Sequence, residues 1–341
     1  MNRRYEQHLV SPLTHRPLVY DGDGNLTSGE EFYEVIENIP ILLPDNAAAD
    51  WQRELVELIL WEHPEEIAHM YEDLLPYSDP TPTYIKWIEK LVGGKEAITH
   101  VFERYEATDT QRWIVERKDR IDADSLAAFH RLCTAEVGKR RVESSLFQKE
   151  TYAPFSKLTT GHHPKMILEL ATGAGTGTAA VALGKDADAL LFSVDVDFAC
   201  LGNVIGIGIY LNCGDTLLPV DANFWHLPFA DGQMDIVCTV CGLDESREND
   251  STIAEAARVL KVGGHFVCVS RENGFMRQGE LLEAFGFSRE EIIMWLKRCR
   301  MYSDVETLKE LCSQNGLRCV YEDRSKSDNG FAFVTTMFEK V

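Results

Sequence analysis

An α/β architecture built on a mostly parallel sheet is what this 341-residue sequence predicts, with a helical segment and a small β module ahead of it. Three features predict it. From about residue 160 onward, short apolar runs alternate with amphipathic stretches, the rhythm that places helices on both faces of a parallel sheet. The stretch "KMILELATGAGTG", residues 165–177, passes from an apolar run straight into small residues and glycines. A buried strand that turns tightly into a helix has this pattern, and its bare backbone lets N–H groups approach a ligand. The last two apolar runs, separated by a short turn, predict an antiparallel hairpin that closes the sheet.

Residues 1–45 carry Asp-Gly and Asp-Gly-Asn turn signals and then an extended "FYEVIENIPILL", which predicts a small β module. Residues 46–158 turn helical. Apolar residues recur at spacings of three and four over 49–63, 64–75, 83–105 and 122–148, with Asp50, Pro64, Pro82 and Asp122 or Asp124 as start signals. This segment reads as a connector or lid whose aromatic residues (Trp51, Trp61, Tyr84, Trp87, Phe102, Tyr105) pack an interface, one or two of them lining a pocket. Residues 159–341 hold the α/β domain. Its strands are expected at 165–171, 189–197, 218–223, 234–240, 263–270, 316–324 and 330–340, with helices at 250–261 and 304–316, the latter stopped by Gly316.

Composition narrows the function classes. A 45% apolar content is ordinary for a chain that buries real cores, and the length allows one large or two modest domains. The formal charge of −21 repels a phosphate backbone, so nucleic acid is disfavoured and Lys139-Arg140-Arg141 reads as a solvated helix face. No apolar run approaches the roughly 18 residues of a membrane span, and the first residues lack an apolar signal core, which predicts a cytoplasmic protein. Nine scattered cysteines suit a reducing compartment, and the pair Cys238 and Cys241 reads as packing.

The glycine-rich turn has two serious ligands, a dinucleotide and S-adenosylmethionine. A dinucleotide needs G-x-G-x-x-G with a helix N-terminus facing pyrophosphate. Here Gly173, Gly175 and Gly177 are spaced by two and an acidic Glu169 ends the strand, which opposes a diphosphate and suits an ammonium and a sulfonium. Asp195 ends the next strand, where a carboxylate accepts from ribose hydroxyls. Asp221 ends the third, where it accepts from an adenine amino group while the Ala222 N–H donates to a ring nitrogen. Three acidic strand ends without a phosphate device fit adenosine attached to an amino acid.

Residues 165–270 resemble a class I S-adenosylmethionine-dependent methyltransferase, which implies a Rossmann-like sheet. "ILELATGAG" is similar to the family's E/D-x-G-x-G-x-G loop and "VDVD" to its ribose-binding acid. "DANFWHLPFADGQMDIV" and "EAARVLKVGGHFVCVS" are similar to its two downstream segments, with Ala171 at the first glycine and Val262 at the usual proline. The resemblance implies that Glu169, Ala171, Gly173 and Gly175 hold the methionine end, Asp195 the ribose, and Asp221 with Ala222 the adenine. Asp197 competes with Asp195, and spacing favours Asp195. Residues 1–45 resemble a Trm112-like module, with Ser11 and Thr14 at its C-x-x-C positions and Tyr33, Ile39, Pro40, Leu42 and Leu43 in its ending. Hydroxyls there lack the soft thiolates that hold zinc, so no metal is expected.

The resemblance implies methyl transfer, which needs alignment and exclusion of water, and a base only where the acceptor must lose a proton. The catalytic candidates are His226 and Tyr152, with Cys241, Asp244 and His162 behind them. The acceptor pocket is expected between the carbonyl edge of the sheet and the helices of 47–158, with 271–302 as a second cover. The aromatic and methionine content of that cover suits an apolar small molecule, or equally a homodimer interface. The expected function is methyl transfer to a small molecule at O, N, S or C. The competing readings are a non-catalytic S-adenosylmethionine-binding or protein-interaction module, and an NAD(P)-dependent oxidoreductase.

Overall fold

A computed structural model describes residues 5, 7–43, 59–60, 63, 66, 81–107, 121, 123–245, 249–271, 282–298, 304–326 and 332–341. Seven strands of the 159–341 region are β6 (Met166–Leu170), β7 (Leu190–Asp195), β8 (Leu217–Ala222), β9 (Met234–Val240), β10 (Leu260–Arg271), β11 (Leu317–Lys326) and β12 (Ala332–Lys340). They lie in the order β11-β12-β10-β9-β6-β7-β8, parallel except for β12, which is antiparallel to both β10 and β11. The expected hairpin is therefore present, with its second strand inserted between β10 and the first.

The central strands are apolar on both faces because both faces are covered. Leu168, Leu170, Phe192, Val194, Leu218 and Val220 pack into one buried cluster. Ile167, Leu191, Leu217 and Ile236 pack into another, beneath α4 (Ala135–Phe147), α5 (Lys149–Thr160), α6 (Thr176–Gly184) and α7 (Phe198–Leu211).

Ahead of them stand α1 (Thr81–Leu91), α2 (Lys95–Ala107) and α3 (Ala123–Leu132). The stretches 83–105 and 122–148, each read as one helical run, are both broken. Gly93, at φ 108, separates α1 from α2. Thr134 starts α4 afresh, its side chain accepting from the Val137 N–H. The turn between α3 and α4 presses on α7 at glycines. A Cβ on Gly138 would stand 2.0 Å from the Gly206 carbonyl oxygen, and one on Gly202 2.6 Å from that of Phe129. These helices are packed into the core of the α/β region.

On the opposite face lie α9 (Asn249–Val259) and α11 (Val305–Gln314), with the short α8 (Gly242–Glu245) after β9 and α10 (Arg289–Arg298) before α11. Asp304 caps α11 by accepting from the Thr307 N–H at 2.8 Å, and Gly316, at φ 72, ends it as its sequence signals.

Residues 223–233, which cross from β8 to β9, form no helix, and the N-terminal segment covers the sheet surface that a crossover helix would shield. Its strands are β1 (Val19–Tyr20), β2 (Leu26–Ser28), β3 (Glu31–Tyr33), β4 (Val35–Ile36) and β5 (Ile39–Leu42). The run read as one extended "FYEVIENIPILL" is folded on itself. Glu37 and Asn38, at φ 51 and 64, make the turn that pairs β4 with β5. β5 then adds to the sheet parallel to β8, pairing Ile41 with Asp221 and Leu42 with Ala222. Tyr5, Leu9, Leu18, Leu26, Tyr33 and Leu42 share one buried cluster with Phe192, Phe229 and Met234. The Tyr5 hydroxyl donates to the Pro219 carbonyl at 2.9 Å, and the Val10 N–H to that of Pro228 at 3.0 Å. Ser11 Oγ accepts from the N–H groups of Leu13 and Thr14 and bonds the Tyr33 hydroxyl at 3.2 Å, while Thr14 Oγ1 donates to Glu31. Hydrogen bonds thus tie the 11–14 turn to β3.

The helices expected over 49–63 and 64–75, with Asp50, Trp51, Trp61 and Pro64, fall almost wholly outside the described residues. So do Asp122, the side chains of Pro82, Tyr84, Phe102, Tyr105 and Asp124, and much of the 271–302 cover. The described part of that cover meets the helical segment where Lys95 bonds Glu291 at 2.8 Å and the Gly286 carbonyl at 3.1 Å. Among the described residues no helix is long and apolar enough to cross a membrane.

Candidate functional site

Strand register puts the three predicted carboxylates on one face. Glu169 of β6 lies opposite Ser193 of β7, and Asp195, two residues further, lies opposite Asp221 of β8. Side chains alternate along a strand, so all three project to the α6 and α7 side. Asp195 and Asp221 stand at the carbonyl rim, and Glu169 one pleat below.

Glu169 is sealed beneath the first turn of α6. Its Oε2 accepts from the hydroxyls of Thr178 at 2.5 Å and Ser193 at 3.0 Å. Its Oε1 lies so near Gly177 that a Cβ there would approach to 2.7 Å. Burial pushes the carboxyl up from 4.5 to about 7, against the pull of the two hydroxyl donors. An acid raised in this way keeps a proton that the unfolded chain releases, so its stabilising contribution is complete below about pH 4.5 and lost as pH rises through about 7. Glu169→Gln is therefore expected to be more stable than the parent chain at pH 8, by about 3 kcal/mol, and to flatten the pH dependence of melting. Equal melting of the two chains at every pH would refute this account of the carboxyl.

The loop between β6 and α6 uses left-handed backbone at Ala171 (φ 60), Gly173 (φ 48) and Gly175 (φ 78). A Cβ on Gly175 would meet Asn203 Cβ at 2.8 Å, whereas one on Gly173 would meet nothing within 4 Å. The loop is thus packed on its α7 side and open at Gly173. Ala171 holds a conformation that costs an L-residue about 1–2 kcal/mol. Ala171→Gly should stabilise the chain by about 1 kcal/mol in thermal melts, net of the extra freedom of the unfolded glycine.

Asp195 reaches across to this loop, its Oδ2 accepting from the Gly173 N–H at 2.8 Å and its Oδ1 from the Asp197 N–H at 2.9 Å. Burial first, and then the Asp197 charge, raise its carboxyl to about 6. Asp197, its rival from sequence, instead caps α7 by accepting from the Ala199 N–H. Asp221 and Ala222 are buried at the end of β8. Thr172 Oγ1, inside the loop, is buried and makes no hydrogen bond among the described residues. An open backbone at Gly173, an unbonded hydroxyl beside it and two adjacent carboxyls on the rim fit a ligand with hydroxyl and amino donors.

Tyr152, in the first turn of α5, is half-buried beside this loop. It is pushed up to about 12 by burial and by Cys241 and Glu169, against a hydrogen bond with Thr176. Cys241, at φ 58, ends β9 with its N–H bonded to the Val269 carbonyl. Tyr152, Thr176, Cys241 and Glu169 are therefore neighbours. His226 lies on the β8–β9 crossover, half-buried, four residues beyond Ala222.

Of the other candidates, His162 lies away from this edge, whereas Asp244 stays beside Cys241, its N–H donating to the Cys241 carbonyl. His162 is at the far end of α5, stacked on His265 at 5.4 Å, and His265 is level with Ile236 and Ile167 near the amino edge of the sheet. Asp244 accepts from the Arg271 N–H at 2.9 Å and ties α8 to the end of β10. Cys238 is a buried free thiol. Asp235 accepts from the N–H groups of Lys165 and Met166 and from Lys261 Nζ, bracing the start of β6.

Sequence reasoning missed Ser193, Thr178 and Asn203. The two hydroxyls carry no signal until register sets them on Glu169. Asn203 did carry one, a lone amide inside the otherwise apolar "FACLGNVIGIGIYL".

Residues 170–268 match the family model described as a methyltransferase domain. Ubiquinone/menaquinone biosynthesis C-methyltransferases (UbiE) of Burkholderia mallei and Burkholderia thailandensis are 25% identical over 169 residues, covering 45% of this chain and 68% of theirs. Among solved structures, the N-methyltransferase NodS of Bradyrhizobium japonicum with S-adenosyl-L-homocysteine superposes with a TM-score of 0.44 at 14% identity, over 57% of this chain and 87% of its own. A chain from the complex of the Haloferax volcanii Trm112 methyltransferase activator with a methyltransferase gives 0.46 at 17% identity, over 60% and 93%.

Proposed function

We propose, taking as premise that this chain is a class I S-adenosylmethionine-dependent methyltransferase, that it methylates a small apolar acceptor held at the carbonyl edge of the sheet. Asp195 carries the reading, because its carboxylate both fastens the Gly173 N–H and stands beside Asp221 on the rim. In this reading Asp195 takes the ribose hydroxyls, and Asp221 with the Ala222 N–H takes the adenine. Ala171, Gly173 and Gly175 form the wall around the methionine end, with the buried Glu169 carboxyl behind it. When bound, S-adenosylmethionine would supply a methyl group activated by its sulfonium, its carbon taken by the acceptor as the thioether of S-adenosylhomocysteine leaves on the opposite side.

Tyr152 keeps its proton at neutral pH, so it serves as a hydrogen-bond donor at the reacting end and not as a base. Where the acceptor must lose a proton, we assign the task to His226, a half-buried imidazole on the β8–β9 crossover whose ring nitrogen can accept one. A small-molecule acceptor is supported by the acidity of the chain, which disfavours nucleic acid, and by the UbiE relatives, whose names place them in quinone biosynthesis. In this reading the enzyme works in the cytoplasm. Homodimerisation through the 271–302 cover belongs to the same reading. So do the divisions 1–45, 46–158 and 159–341, the first as a Trm112-like segment that braces Asp221 and Ala222 through the β5–β8 pairing.

The direct test is calorimetry with S-adenosylhomocysteine. Asp195→Ala should weaken binding by about 1–3 kcal/mol, the worth of hydrogen bonds to a charged acceptor. Unchanged affinity in a folded variant would remove the site assignment. Turnover of labelled cofactor with quinone-like and other apolar acceptors tests the substrate class, and methylation confined to RNA or protein would overturn it.

A further inference from the structure

We propose that Asn203 is a positioning residue for the cofactor loop, and that Arg141 fixes which way its amide points. Asn203 lies on α7 and is 2% exposed. Its Nδ2 donates to the Gly173 carbonyl at 3.0 Å and to that of Cys200 at 3.1 Å, while its Oδ1 accepts from Arg141 Nε at 3.0 Å. The Gly173 residue is therefore held from both sides, its N–H by Asp195 and its carbonyl by Asn203. Gly175 rests against the same side chain, which fixes the loop's depth over α7.

An amide has one donor end and one acceptor end of nearly equal shape, and its neighbours decide its orientation. Arg141 has no acceptor, so it can face only Oδ1, and this leaves Nδ2 for Gly173. The reverse orientation would set two oxygens against each other at Gly173 and two donors at Arg141. Through this relay α4, a helix of the segment read from sequence as a lid, orders the loop from behind. The inference rests on the reading of that loop as the wall around the cofactor's methionine end.

The test measures S-adenosylhomocysteine affinity by calorimetry, with melting temperature beside it. Asn203→Asp keeps the shape and the Arg141 contact but sets an oxygen against the Gly173 carbonyl, and about a tenfold loss of affinity is expected. Arg141→Met and Arg141→Gln have stems of equal length, and only glutamine places an N–H donor where Nε stood. Methionine should weaken binding about fivefold, and glutamine should stay within about twofold of the parent. A structural role alone would not separate these two by affinity. Equal losses in both, or Asn203→Asp within about twofold of the parent while Asp195→Ala binds weakly, would overturn the proposal and leave the site reading intact. Full affinity in Asp195→Ala would remove the site reading, and the proposal with it.

Discussion

Gly138→Ala is expected to cost about 3 kcal/mol or more in denaturant unfolding, an unusual penalty for one added methyl group. The new Cβ would stand 2.0 Å from the Gly206 carbonyl oxygen, 2.4 Å from its carbon and 2.8 Å from the Ile207 nitrogen, all backbone atoms of a helix locked into the core. No rotamer relieves the overlap, so α4 and α7 must separate. Separation would unpack Val142 from Val204 and Ile207 and draw Arg141 away from Asn203. Cofactor affinity should fall together with stability. Gly94→Ala is the control, because a Cβ there meets nothing within 4 Å and its backbone is not left-handed. If the two variants unfolded alike, the close helix contact would not exist in solution.

Deletion of residues 1–43 should yield a chain that fails to reach the native state. The truncation removes Tyr5, Leu9, Leu18, Leu26, Tyr33 and Leu42 from the cluster that covers Phe192, Phe229 and Met234. At about 1.5–3 kcal/mol for each buried side chain, the loss rivals the whole 5–15 kcal/mol stability of an ordinary domain. It also strips β5 from β8 and bares an edge strand next to Asp221. The observable outcome is insoluble protein, or a soluble species that binds a hydrophobic dye and lacks a cooperative melt. A truncated chain that melts cooperatively would show that the α/β region carries its own complete core.

Much of the α/β region is legible in the sequence because its signals are local. Strand runs such as 165–171 and 234–240 are apolar on every residue but a few, and the caps at Asp304 and Gly316 announce their helix. Asp195 and Asp221 are legible for a related reason, since a charged residue at the end of an apolar strand has to face the rim. The hairpin at Glu37 and Asn38 is hidden, because neither residue is the glycine that usually marks left-handed turns. The break before Thr134 is hidden as well, since the helical period continues across it.

The alternation of apolar runs determined the sheet from sequence alone, and the acidic residues that close the runs of β7 and β8 determined which carboxyls stand on its rim. Tertiary structure decided what those residues do to one another. It drew Glu169 under α6 and Tyr152 against Thr176, set Asn203 between Arg141 and Gly173, and made the N-terminal segment part of the core. Strand periodicity is written over a few neighbouring residues, whereas a buried contact depends on distant segments, such as those of Tyr5 and Pro219, 214 positions apart, meeting at one depth in the packing.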